Sequence, residues 1–162
     1  MEKTLRARVS LRNPLHFTAL GFGAGLIPIA PGTFGSMVAI PLLLLCANLS
    51  MVTYLSLTLA GFVFGIGCCR VTARALRMHD HGSIVWDEIV GMFVTFVLIP
   101  ISGPNLLLGF VLFRLFDILK PWPIRLFDKK VHGGTGIMLD DIVAGALACL
   151  VLHAIQPVLT AL

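Results

Sequence analysis

The segment MVTYLSLTLAGFVFGIGCC, residues Met51 to Cys69, runs for 19 residues without a charge. A bilayer core about 30 Å thick is crossed by about 20 apolar helical residues, so this stretch is read as a membrane helix. It lies inside a larger charge-free run of 57 residues between Arg12 and Arg70. Two more such runs follow, 25 residues between Glu88 and Arg114 and 21 residues after Asp141. Charged residues make up 12% of the 162-residue chain, apolar residues 57%, and the mean hydropathy is +0.97. Soluble domains carry about twice that share of charge. The composition excludes an ordinary water-soluble globule, and so apolar a chain is not disordered. The expected fold is all-α, an integral membrane helical bundle of about five membrane-embedded helices, some of them short or re-entrant.

Breaks and charges divide the chain. Residues 1–14 read as a basic cytoplasmic segment and residues 15–162 as a single membrane-embedded domain. The glycines and prolines of Leu15–Pro31 leave no clean signal-peptide core. Asn48-Leu49-Ser50 and Ser102-Gly103-Pro104-Asn105 are uncharged breaks suited to outer turns. Basic residues gather at Lys3 to Arg12, Arg70 to Arg77 and Arg114 to Lys130. Lys and Arg in short loops favour the cytoplasmic side, which places all three groups inside. Helices are expected over Met37–Ala47, Ile84–Ile101, Leu106–Leu119 and the final run that Asp140 and Asp141 open. At about 1.5 Å per residue the first of these is too short to cross a bilayer. The basic clusters adjoin apolar runs and no soluble domain, so nucleic acid is not an expected partner. No protein partner is evident either. Cys46, Cys68, Cys69 and Cys149 lie in apolar runs without a Cys-x-x-Cys and read as small core residues. Cys68 and Arg74 share the spacing of a cysteine phosphatase but lack its glycine-rich loop. His79-Asp80-His81 has no further metal ligand at suitable spacing.

Seven of the eight acids fall between residues 80 and 141. With the topology above, Asp87 and Glu88 start a helix leaving the cytoplasm, and Asp117 ends one returning to it. Asp140 and Asp141 start a third. Distant residues thus meet at the inner headgroup level. Buried ionisable groups in membrane helices persist mainly where they pair or work. Five carboxylates at one depth repel one another, and a hard divalent cation relieves that repulsion; carboxylate oxygens are what Mg²⁺ takes. The alternative reading is ion pairing with Arg114, Lys120 and Arg125.

Those basic residues also suit a phosphate. Arg114 and Asp117 share a helix face, Lys120 follows by one turn, and Pro121 and Pro123 end the helix. Arg presents a planar fork to phosphate oxygens and Lys a point charge. Pro31-Gly32-Thr33-Phe34-Gly35-Ser36 reads as a tight loop feeding a helix. Its glycines allow close backbone approach, and Thr33 and Ser36 offer hydroxyls beside a helix start that favours anions. A Gly/Thr/Ser turn of this kind usually just caps a helix, so alone the signal is weak. His132-Gly133-Gly134-Thr135-Gly136 reads as a loop over the site or a connector.

Five segments together resemble the bacterial phosphatidylglycerophosphatase A family: Gly21 to Leu26, Pro28 to Ser36, His79 to Glu88, Phe113 to Pro123 and His132 to Gly145. The resemblance covers about residues 13 to 150. It implies Mg²⁺-dependent hydrolysis of phosphatidylglycerophosphate to phosphatidylglycerol and phosphate at the inner membrane, by an all-helical protein. Asp87, Glu88, Asp117, Asp140 and Asp141 are then the expected metal ligands. Asp87, Glu88, Asp117, Asp141 and Lys120 are the expected catalytic residues. Thr33, Ser36, Arg114, Lys120 and Arg125 are expected to bind the substrate phosphate. The rival expectation is a small cation transporter or channel. It is disfavoured because the acids group at one end and the outer halves are apolar.

Overall fold

A computed structural model describes residues 7–78, 81–125, 131 and 133–159. The described residues form six α-helices and one 3-10 helix, with no strand. In order these are α1 (Pro14–Ala19), the 3-10 helix (Gly21–Leu26), α2 (Pro31–Cys46), α3 (Met51–Leu76), α4 (Trp86–Thr95), α5 (Gly103–Leu119) and α6 (Gly134–Leu159). Helix α6 packs on α3, α4 and α5, and α4 also meets α2 and α3. Leu43, Ile89, Met92, Phe96, Phe113, Ala144 and Leu152 form the main core where these helices meet. A second core joins Cys68, Cys69 and Leu76 of α3 to Ile84, Ile137 and Met138.

The exterior is apolar. Leu45, Val52, Leu107, Ile118 and Leu150 are between 66% and 79% exposed. A water-soluble protein seldom leaves so much apolar surface uncovered. Helices α3 and α6 are long and apolar enough to cross a membrane. By length α4, at 10 residues, covers only about 15 Å.

Several elements differ from their sequence expectation. Helix α2 begins at Pro31, so the supposed loop Pro31–Ser36 forms its first turns. Pro31 is preset for a helix start, Ala30 enters from the left-handed region at φ 47°, and Gly32 and Gly35 fit against neighbouring side chains. Tertiary contact outweighs the weak helix propensity of Gly, Ser and Thr here. Helix α4 is shorter than Ile84–Ile101. The Val85 N–H donates to Ala19 O at 2.9 Å, which holds Val85 outside the helix. Leu98 is left-handed at φ 60° and Pro100 follows, which stops the other end. Helix α6 begins at Gly134, so Asp140 and Asp141 lie within it rather than at its opening. The glycine-rich stretch ahead of them is thereby largely helical, and His132 lies outside the described residues. Lys120 ends α5 in the left-handed region, its N–H on Phe116 O at 2.8 Å, ahead of the two prolines as expected.

Candidate functional site

The site is built where the starts of α2 and α4 and the end of α5 meet the second and third turns of α6. Helix α4 supplies Asp87 and Glu88 from its first turn, α6 supplies Asp140 and Asp141, and the end of α5 supplies Arg114, Asp117 and Lys120. The start of α2 closes against them through Gly32. A Cβ at that position would collide with Glu88 Oε1 and lie 3.2 Å from Arg114 Nη1. The α2 N-terminus therefore touches both a carboxylate and a guanidinium.

Glycines set the approach of α4 and α6. A Cβ at Gly145 would strike the Gly91 carbonyl oxygen, and one at Gly91 would lie 2.6 Å from Phe113 and 2.9 Å from Asp141 O. Small residues let helix backbones meet in this way. Asp87 lies one turn before Gly91 and Asp141 one turn before Gly145. The close crossing therefore carries both carboxylates together. The sequence holds an unread signal for it: Asp87-Glu88-Ile89-Val90-Gly91 and Asp141-Ile142-Val143-Ala144-Gly145 repeat one Asp-to-Gly spacing.

Asp87, Glu88 and Asp141 each offer an oxygen within 4.8 Å of the others. Asp87 and Asp141 are buried at 6% and 3% exposure, and the Glu88 side chain is 12% exposed. Arg114 Nη1 donates to Asp117 Oδ2 at 2.5 Å and lies 3.9 Å from Glu88 Oε1. Lys120 Nζ donates to Asp140 Oδ2 at 2.5 Å. Glu88 Oε2 and Arg114 Nε are buried with no hydrogen-bond partner among the described residues. Asp87, Glu88 and Asp141 thus crowd three buried carboxylates into one place, with Arg114 and Lys120 paired to Asp117 and Asp140. Buried like charges repel strongly at short range, so the three clustered carboxylates suit a divalent cation. The donor set is all oxygen, as a hard cation requires. An orphaned carboxylate oxygen and an orphaned guanidinium N–H on two residues of one ion pair fit a cation and an anion bound together.

The remaining expected residues separate into two groups. Thr33 and Ser36 lie on the α2 start beside Gly32. Thr33 is half-buried. Ser36 is fully buried, and its hydroxyl donates to Gly32 O at 2.9 Å. Its proton is committed to holding that turn. Arg125 is exposed, and no side-chain ion pair joins it to the carboxylates among the described residues. Cys68 is buried while Arg74 is exposed, so they form no common site. His79 and Asp80 lie outside the described residues.

Comparison with known proteins comes from sequence. The family model described as Phosphatidylglycerophosphatase A matches residues 17–156. The chain is 47% identical to Phosphatidylglycerophosphatase A of Escherichia coli strain K12, over 93% of this chain and 88% of that one. It is 48% identical to the protein of the same name from Haemophilus influenzae, over 92% of this chain and 93% of that one. A third relative, from Bacteroides thetaiotaomicron, is 33% identical over 77% of this chain and 82% of its own. It bears a provisional name as a phosphatidylinositol-3-phosphatase. No solved structure matches the chain significantly.

Proposed function

Because the chain belongs to the phosphatidylglycerophosphatase A family, we propose that it hydrolyses the terminal phosphate of phosphatidylglycerophosphate, releasing phosphatidylglycerol and inorganic phosphate. The reading includes dependence on Mg²⁺ and a multi-pass setting in a bacterial inner membrane, with about five embedded helices. One observation carries it: three carboxylates from α4 and α6 converge beside a buried arginine whose Nε has no acceptor among the described residues. The transporter alternative finds no support in the relatives.

Asp87, Glu88 and Asp141 would hold the cation, with Asp117 and Asp140 beside them. When bound, Mg²⁺ supplies a Lewis acid for the phosphoryl group and lowers the pKa of an attacking water. Arg114 takes phosphoryl oxygens through its guanidinium, and Asp117 orients it. Lys120, held by Asp140, adds positive charge where the transferring group accumulates negative charge. The free N–H groups at the α2 start and the Thr33 hydroxyl complete the phosphate cradle. Ser36 holds the turn beneath it. A carboxylate of the cluster accepts the proton of the attacking water. Arg125, exposed beyond the end of α5, meets the headgroup from outside.

The cytoplasmic placement of the site rests on charge. A Cβ at Gly134 would lie 2.8 Å from Arg70 Cβ, so the basic end of α3 stands at the site's end of α6. Arg74 and Arg77 continue that end, and Arg8 donates to Leu76 O at 3.3 Å. Basic residues concentrate on the cytoplasmic side. Phosphate release by purified protein from several lipid phosphates, with Mg²⁺ and then with EDTA, tests the whole reading. Release from phosphatidylglycerophosphate that stops with EDTA is expected; release from none of them refutes it.

A further inference from the structure

Two apolar grooves flank helix α3. The first, about 210 Å³, lies between α2, α3 and α4, against Leu42, Cys46, Leu57, Gly61, Trp86 and Phe93. The second, about 360 Å³, lies between α3, α4 and α6, against Leu55, Leu59, Phe62, Val94, Val97 and Ile142. Thr58 borders both. Its hydroxyl is turned onto its own helix, donating to Tyr54 O at 2.9 Å, so the ridge between the grooves presents little polarity.

Beyond Tyr54, which is buried against Phe93, the first half of α3 is less covered by its neighbours than the second. Leu55, Leu57 and Leu59 are 43%, 47% and 62% exposed, whereas Cys68, Cys69 and Leu76 further along are fully buried. Two polar ties join α3 to α4 at the first groove: Trp86 Nε1 donates to Gly61 O at 3.0 Å, and Tyr54 Oη donates to Phe93 O at 2.6 Å. Gly61 has no side chain, and an added Cβ would meet nothing closer than Val90 Cγ2 at 3.5 Å.

Each groove is lined by the chain neighbour of a cluster acid. Trp86 immediately precedes Asp87, and Ile142 immediately follows Asp141. From Trp86 the first groove follows α4 to Phe93, and the second follows α3 from Phe62 to Leu55. Seven helical residues give each a run of about 10 Å. Both lead away from the end of α3 where Cys69 Sγ contacts Met138 Sδ at 3.9 Å. The layout is one polar head site with two diverging apolar channels on either side of a helix.

We propose that the two grooves take the two acyl chains of the phospholipid substrate, astride α3, with the headgroup phosphate at the carboxylates. This rests on reading the cluster as a lipid-phosphate site. A diacyl lipid has one head and two chains, and two grooves that each carry the chain neighbour of a cluster acid match that shape. The chains occupy the grooves specifically, unlike the surrounding lipid that covers the outer face of α5.

A photolabelling experiment tests this. Phosphatidylglycerophosphate with a diazirine midway along one chain is photolysed with the full chain in phosphatidylcholine vesicles. Labels are expected on Ile89, Val90 and Phe93 or on Val94, Val97 and Ile142, and excess unlabelled phosphatidylglycerophosphate removes them. Labels spread over Leu107, Val111 and Ile118, unmoved by competitor, overturn the proposal. Two filling variants, Gly61→Phe and Val97→Trp, give a second measure. Each is expected to raise KM for the dipalmitoyl substrate by about 5–10-fold, within the range of a lost apolar contact. Neither should change kcat/KM for the same headgroup stripped of its chains. Equal losses on both substrates, or none on either, overturn it. Competed labelling without phosphate release rejects the phosphatase reading and keeps the grooves. Phosphate release without competed labelling does the reverse.

Discussion

Gly145 meets the carbonyl oxygen of Gly91 so closely that no side chain fits between α4 and α6. Asp87 and Asp141 each lie one turn before one of these glycines, so the spacing of two carboxylates depends on two absent methyl groups. Gly145→Ala is therefore expected to force the helices apart. Backbone cannot swing aside as a side chain can, and overpacking of this kind costs about 1–3 kcal/mol. Phosphate release should fall by about 10-fold or more, since small displacements of reacting groups carry large rate penalties. The unfolding midpoint in detergent and the turnover number are measured together. A fully active Gly145→Ala enzyme removes this crossing from the account of the site.

Asp87→Asn, Glu88→Gln, Asp141→Asn and Asp117→Asn separate chemistry from folding. The first three groups lie within 4.8 Å of one another, and each replacement removes a negative charge from a crowded site. Turnover is expected to fall by about 100-fold or more, on the scale of losing one electrostatic stabiliser. Insertion and thermal stability should hold, because repulsion is relieved. Near-native turnover in any one variant excludes that residue from catalysis.

Arg114 is expected to resist replacement by Lys. Its guanidinium holds Asp117 at 2.5 Å, lies 3.9 Å from Glu88 and borders the space that Gly32 leaves open. An ammonium cannot reproduce that planar fork. Arg114→Lys should lose turnover by about 10-fold or more, as charge-assisted contacts to phosphate are lost. Gly32→Ala should lose activity in a similar way with little change in stability, because its new methyl group presses on the flexible end of Glu88.

Lys120→Met leaves Asp140, 6% exposed, without its 2.5 Å ammonium partner. Removing one side of a buried polar pair costs about 1–3 kcal/mol. Lys120→Met combined with Asp140→Asn is expected to recover much of that stability while remaining inactive. Thermal midpoints of the single and double variants give the coupling, and strictly additive losses rule it out.

Metal removal is expected to act on stability as well as on turnover. A cation bound only by the folded cluster stabilises the protein by mass action. Adding Mg²⁺ to metal-free protein should raise the unfolding midpoint, and Asp87→Asn should abolish that rise. A midpoint indifferent to Mg²⁺ in the native protein argues against a resident ion.

The convergence of the acids was legible because charge is so rare in this chain. Against long neutral runs, Asp87, Glu88, Asp117, Asp140 and Asp141 stand out, and the helix alternation expected from the sequence puts them at one level. Element starts were less legible. The Gly/Thr/Ser composition of Pro31–Ser36 signals a loop by propensity, yet it is helix because Gly32 and Gly35 buy close packing against Glu88 and Val85. Likewise Ile84–Ile101 is apolar enough for one long helix. What shortens it is the Val85 bond to Ala19 and the left-handed turn at Leu98, neither of which leaves a trace in hydropathy.

By itself the sequence determined that this chain is helical, apolar on the outside and acidic at one level, since those properties follow from residue type and local period. Which oxygens actually meet was decided only by the tertiary structure. Asp87, Glu88 and Asp141 come together while Asp140 turns to Lys120, and Arg125 stays on the surface. The distances depend on how near two helix axes approach, and that is set by side chains missing at Gly91, Gly145 and Gly32. A close contact of backbones is a property of pairs of residues, which no single position in the chain records.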